Sequence, residues 1–306
     1  MVPNFFVVGA TKAGTTSLYN YLDQHPAIYM SPVKEPTFFA PDLLELKQQL
    51  GIADPDSAEL RAYLDGPMTE RRNGVVTEWE QYLKLFKNVT GETAVGEASG
   101  NYLGSTRAAA AIRERFPHAR IVMVLRNPVE RLFSQHAEAV ANGHARAEFL
   151  PWVEEQRARE ATRQPQMGAV WSGFYARHLA RYRACFPARQ LQILRYEDYS
   201  AAPLSVLRAI FTFLDVDPDF PVDVSRRHNV TLQPRFVGLR RTSGCLRARL
   251  RRVLPARVAQ ALSGATRRRP RAITPRERAQ VLRIYEADIR ELQRTLALDV
   301  SAWLRG

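Results

Sequence analysis

No apolar run in this 306-residue chain approaches the ~18 residues that a membrane-crossing helix needs. Cysteine is scarce as well. Cys185 and Cys245 fit neither a disulfide framework nor a metal-ligand spacing, and they read as buried or incidental thiols of a reducing compartment. An apolar stretch starts right after Asn4, which leaves no room for a signal peptide, so a cytoplasmic location is expected. Acidic residues are missing from 226–271, which holds 14 Arg. Over 226–294 there are 19 Arg, 4 acids and no Lys, a charge of +15 in a chain of net +13, so the remainder sums to about −2. The run fits a solvated arginine-rich face, and equally an attraction to a polyanionic ligand, an acidic acceptor or an anionic membrane surface. No nucleic-acid-binding module accompanies it, so no nucleic-acid partner is expected.

What is present is an ordinary globular composition, 45% hydrophobic and 25% charged, which at this length buries a sizeable core. We expect one domain over 1–306, with its core at about 4–215 and the arginine-rich 226–306 packing on it. Apolar runs at 5–8, 94–96, 121–125 and 191–194 read as buried strands. Between them, Ser105 or Thr106 can cap a helix ending near Phe116, before Pro117. Asn127 can cap another, with Pro128 at its first position and its end near Asn142. Further helices are expected at about 174–184, 203–214 and 275–296, the last capped by Thr274 and followed by Trp303 and Leu304 as a docking tail. Residues 51–76 read as a loop or small excursion. Residues 237–262 read as a basic amphipathic stretch that packs on the domain or faces a membrane surface or acceptor. Strands alternating with helices imply an α/β fold, a mainly parallel sheet covered on both faces, with ligands beyond the carboxyl ends of its strands.

Residues 5–17, Phe-Phe-Val-Val-Gly-Ala-Thr-Lys-Ala-Gly-Thr-Thr-Ser, form a strand, a glycine turn and the start of a helix. That arrangement cradles an anionic phosphate between backbone N–H groups and the positive end of a helix dipole. A nucleoside-triphosphate loop needs Gly-x4-Gly-Lys-Ser/Thr. Here Gly9 and Gly14 keep the spacing, but Thr15 stands in the lysine position and the lysine lies three places earlier, at Lys12. There is no apolar strand ending in Asp to hold Mg²⁺. A single 5′-phosphate bearing a less charged transferable group, such as sulfuryl, suits this loop, and no metal is expected. A second segment, 121–134, places Arg126 at a strand's carboxyl end and Ser134 two turns into the following helix, where a guanidinium fork and a hydroxyl can hold another phosphate. Arg131 reads as a second phosphate ligand or a plain salt bridge, and His136 as helical surface.

Together, Lys12–Ser17 and Arg126–Ser134 resemble the two phosphate-binding segments of sulfotransferases that use 3′-phosphoadenosine 5′-phosphosulfate (PAPS). The likeness is to bacterial sulfotransferases and to the sulfotransferase domains of heparan sulfate biosynthesis. It extends through 34–39, 96–99, 173–175 and 191–199, and so covers most of 4–215. The resemblance implies a P-loop-like three-layer α/β/α fold and sulfuryl transfer from PAPS to an acceptor hydroxyl by in-line displacement. It implies that Lys12 stabilises the leaving PAP and that Ala13, Gly14, Thr15, Thr16 and Ser17 hold the 5′-phosphate. Arg126 and Ser134 would hold the 3′-phosphate, and Glu35 would act as general base. Ala98 and Thr37 stand where heparan-type relatives tend to carry Lys and His, and their late Lys-Gly-Arg segment is missing; Arg226–Asn229 or Arg267–Arg269 would replace it. The acceptor pocket is expected from the Glu35–Phe39 loop, 51–80 and 143–172. Two other functions fit parts of the pattern. A P-loop-type kinase would require Mg²⁺, and an arginine-rich polyanion-binding protein would tolerate loss of Lys12.

Overall fold

The computed structural model describes residues 2–49, 57–162, 168–225, 233–234, 267–268, 271–296 and 298–305. The strands among them are β1 (Phe5–Gly9), β2 (Ile28–Met30), β3 (Val33–Lys34), β4 (Arg72–Asn73), β5 (Ala94–Ala98), β6 (Arg120–Leu125), β7 (Leu191–Arg195), β8 (Gln233–Pro234) and β9 (Arg267–Arg268). The helices are α1 (Thr15–Leu22), α2 (Pro41–Gln49), α3 (Ala58–Asp65), α4 (Trp79–Lys84), α5 (Ala108–Arg115), α6 (Pro128–Ala141), α7 (Phe149–Thr162), α8 (Tyr175–Cys185), α9 (Tyr196–Ala201), α10 (Pro203–Leu214) and α11 (Pro275–Thr295). Five strands pair in the order β2-β5-β1-β6-β7, every pair parallel. β3 and β4 make a separate two-residue parallel ladder, and β8 and β9 an antiparallel one.

The sheet forms where sequence offers continuous apolar runs, the signature of strands covered on both faces. All five residues of β1 are buried, as are all five of β5. Phe5 lies over Gly96, where a Cβ would come within 2.2 Å of its ring, so only glycine admits β1 and β5 at this spacing. All four strands expected from sequence are found. β2 was not expected: three residues, one half-exposed, carry too little periodicity to register.

Helix starts follow their caps. The Asn127 side chain accepts from the N–H groups of Val129 (3.0 Å) and Glu130 (3.5 Å), with Pro128 first in α6. Ser105 Oγ accepts from Arg107 and Ala108 ahead of α5. Thr274 and Glu277 close a reciprocal capping box at α11. Within 51–76, α3 is a short helical excursion, capped by Ser57. Two α6 expectations need correction. His136 is buried, packed on Phe149 and Trp152, with Nε2 2.9 Å from the Arg146 carbonyl. Arg131 is fully buried and does not line the cavity that holds Arg126 and Ser134; its guanidinium donates to Gln135 Oε1 and the Ala169 carbonyl. The amphipathic stretch 237–262 and Arg226–Asn229 lie outside the described residues.

α11 buries Val281, Tyr285, Ile289 and Leu292. Its Asp288 accepts from Ala176 and Arg177 at the start of α8 (3.0 and 3.4 Å), and Tyr285 donates to the Val170 carbonyl (3.0 Å). Beyond it Trp303 is buried against Tyr175, whose hydroxyl donates to the Arg126 carbonyl at 2.9 Å. The last described segment therefore supports the end of β6.

Candidate active site

After β1 the backbone turns through left-handed geometry at Lys12 (φ 67°) and Gly14 (φ 81°) and enters α1, which has no capping side chain. At Gly14 a side chain would be strained by φ, and its Cβ would lie 3.1 Å from the rings of both Tyr196 and Tyr199. An uncapped helix N-terminus leaves orphan N–H donors and a positive dipole end. Here it faces a cavity of about 460 Å³ lined by Lys12, Gly14, Thr15, Thr16 and Ser17 on one side and Arg126 and Ser134 on the other. Eight of the nine residues expected from sequence meet there, Glu35 included. Ala13 does not. It is fully buried, and its N–H donates to the Ala10 carbonyl at 3.1 Å, inside the turn.

Arg126 locks the turn from the β6 side. Its Nη1 donates to the Lys12 carbonyl (3.1 Å), its guanidinium lies over the Tyr196 ring at 4.8 Å, and Nη2 is 3.9 Å from Glu130. Glu130 is also paired with Arg278 of α11. The Lys12 ammonium, only 12% exposed, forms an ion pair with Glu138 of α6 at 3.0 Å.

Glu35 sits in a loop laid against the end of β5, its N–H on the Ala98 carbonyl at 2.9 Å. Glu35 (φ 60°) and Thr37 (φ 59°) are both left-handed, a costly geometry for a β-branched residue. The loop is held by Thr37 Oγ1 on the Glu35 carbonyl and by Phe39 N–H on Tyr102 Oη. Two donors, Lys34 Nζ (2.9 Å) and Gly100 N–H (3.2 Å), fix Oε1 of Glu35. Beneath the loop Glu97 is wholly buried, and desolvation pushes its carboxyl from 4.5 up to about 8; the charge of Glu35 adds to the rise. The Tyr82 and Tyr102 hydroxyls temper it from nearby, though neither closes a well-formed hydrogen bond with the carboxylate.

Sequence reasoning did not single out Glu138, Lys34 or the α9 tyrosines as site residues. Tyr196 and Tyr199 lie in a segment already matched by resemblance, and their aromatic spacing was the available signal. Nothing local marks Glu138, whose partner is 126 residues away. A second cavity, about 200 Å³, adjoins the first and shares Thr11, Lys12 and Glu138 with it. Of the segments expected to form an acceptor pocket, 143–172 contributes Ser172 to this cavity, and no described residue of 51–80 lines either one.

A parallel sheet whose first strand feeds an uncapped helix beside a cavity is an α/β arrangement that suits a phosphate-type anion. The comparisons are more specific. Residues 3–221 match the family model described as "Sulfotransferase family", and the chain belongs to that family. It is similar to a bacterial structure, the sulfotransferase from Alicyclobacillus acidocaldarius, at 27% identity and a TM-score of 0.71 with all of both chains covered. Over 71% of its length it is 24% identical to the bifunctional heparan sulfate N-deacetylase/N-sulfotransferase of Drosophila melanogaster, and 25% identical to carbohydrate sulfotransferase 15 of Mus musculus. It spans 20% and 44% of those two relatives.

Proposed function

We propose that this protein transfers a sulfuryl group from PAPS to an acceptor hydroxyl. The observation that carries the reading is the convergence, on one 460 Å³ cavity, of the Lys12–Ser17 turn with Arg126 and Ser134. The residues fit the donor. The uncapped α1 N-terminus with Thr15, Thr16 and Ser17 suits the 5′-phosphate, Arg126 and Ser134 suit the 3′-phosphate, and Tyr196 and Tyr199 add aromatic lining to the same cavity. When bound, the donor supplies a sulfuryl group on a phosphate leaving group. Lys12 then places its ammonium where negative charge develops, which is the largest single contribution such a site makes. Glu35, steadied through Oε1 by Lys34 and Gly100, takes the proton of the attacking hydroxyl. The family membership supports PAPS as donor, and the assignment of roles to Lys12, Glu35, Arg126 and Ser134 is ours.

Thermal-shift titration with PAP, ADP and ATP tests the donor. PAP is expected to raise Tm well above either triphosphate or diphosphate control. Turnover is expected to survive EDTA, whereas activity that EDTA removes and Mg²⁺ restores would transfer the assignment to a kinase.

A further inference from the structure

The second cavity opens off the first where Thr11, Lys12 and Glu138 line both. Ala10, Leu43 and Leu103 give it an apolar wall; Asn101, Gln135 and Ser172 are uncharged polar groups. Gly100 sits at the junction. The Cβ it lacks would lie 3.5 Å from both Glu35 Oε1 and Thr15 Oγ1, so this glycine leaves the way past the carboxylate open. Asn101 adds a buried Oδ1 with no hydrogen-bond partner, while its Nδ2 donates to Thr37 Oγ1.

This cavity carries one charge of each sign. Among the described residues lining it, only Lys12 and Glu138 are charged, and they are paired at 3.0 Å. Once the Lys12 ammonium is drawn to an anionic donor, Glu138 is left without that counter-charge in this cavity; Glu35 lines the first cavity and stays paired with Lys34 at 2.9 Å. An acidic acceptor would then meet like charge at a carboxylate that is itself 42% exposed. The Lys12 ammonium itself shows that a primary ammonium fits against Glu138.

Building on the sulfotransferase reading above, we propose that this cavity admits the acceptor and that Glu138 filters it by charge. The acceptor is a compact hydroxyl compound, uncharged or bearing an ammonium group, and not an acidic polysaccharide.

The full chain is first titrated with PAP; failure to bind defeats the donor reading itself. Labelled PAPS is then offered with glucosamine, methyl glucoside, glucuronic acid and unsulfated heparosan, and with an extract of the native host resolved by charge and size. Label is expected in cationic or neutral small compounds. Glu138→Gln is expected to lower the ratio of cationic to anionic products by at least about tenfold, the equivalent of 1.4 kcal/mol. Label in heparosan or in acidic fractions, an unchanged ratio, or a PAP-binding enzyme that labels no small compound each overturns the proposal. Gly100→Ala adds a methyl group with only ordinary contacts. It is expected to cut transfer at least about tenfold while PAP affinity holds; transfer at the wild-type rate would place the acceptor elsewhere.

Discussion

Lys12 stands between two spaces built in different ways. On the donor side the walls are the ends of buried strands and the starts of helices: the turn after β1, the β6–α6 junction at Arg126, and α9. On the other side they come from single side chains of distant segments, among them Leu43 of α2, Gly100, Asn101, Leu103 and Gly104 after β5, Gln135 and Glu138 of α6, and Ser172. The first space is set by backbone geometry, so its chemistry is generic: hold phosphates. The second is set by which side chains α2, α6 and the loops after β1 and β5 present, and acceptor choice, as proposed above, is made there.

If the two sides are separable, substitutions should sort accordingly. The largest effect is expected at the shared residue. Lys12→Ala should lower kcat by about 100-fold or more and also weaken PAP, measured by labelled transfer and by titration. Glu35→Gln should cost on the order of 100-fold in kcat with PAP affinity unchanged; a parallel loss of PAP binding would show that the two sides act as one. Arg126→Ala should do the reverse, weakening PAP by about tenfold or more, because the guanidinium also holds the Lys12 carbonyl. The smallest effect concerns pH. Glu97 has its folded value raised from 4.5 to about 8, so between those values the folded chain keeps a proton the unfolded chain has released. Its contribution is complete below pH 4.5 and is lost as pH rises toward about 8. Tm should fall by several degrees across that window and the slope should flatten in Glu97→Gln; an unchanged slope would mean that Glu97 does not govern this part of the fold.

The same contrast explains what could be read from sequence. The donor side is written locally: Lys12 to Ser17 are consecutive, and Arg126, Asn127 and Pro128 announce a strand end, a cap and a helix start. The α6 register carries a burial signal of its own. Val129, Leu132, Phe133, His136 and Val140 form one stripe at helical spacing, which places His136 inside. The second cavity is written nowhere in particular. Its lining residues are far apart in the chain, and only the sheet order brings Gly100 beside Glu35. Ala13 differs from the other residues of the turn for a related reason: its N–H closes the turn on the Ala10 carbonyl, a tertiary detail that residue type does not express.

The support that α11 and Trp303 give to Tyr175, and through it to the Arg126 carbonyl, ties together segments far apart in the chain. The phosphate turn lies between β1 and α1, yet the carbonyl of the arginine beside it is braced from α11 and the segment after it. Removing α11 would leave every residue of the turn in place and take away that brace.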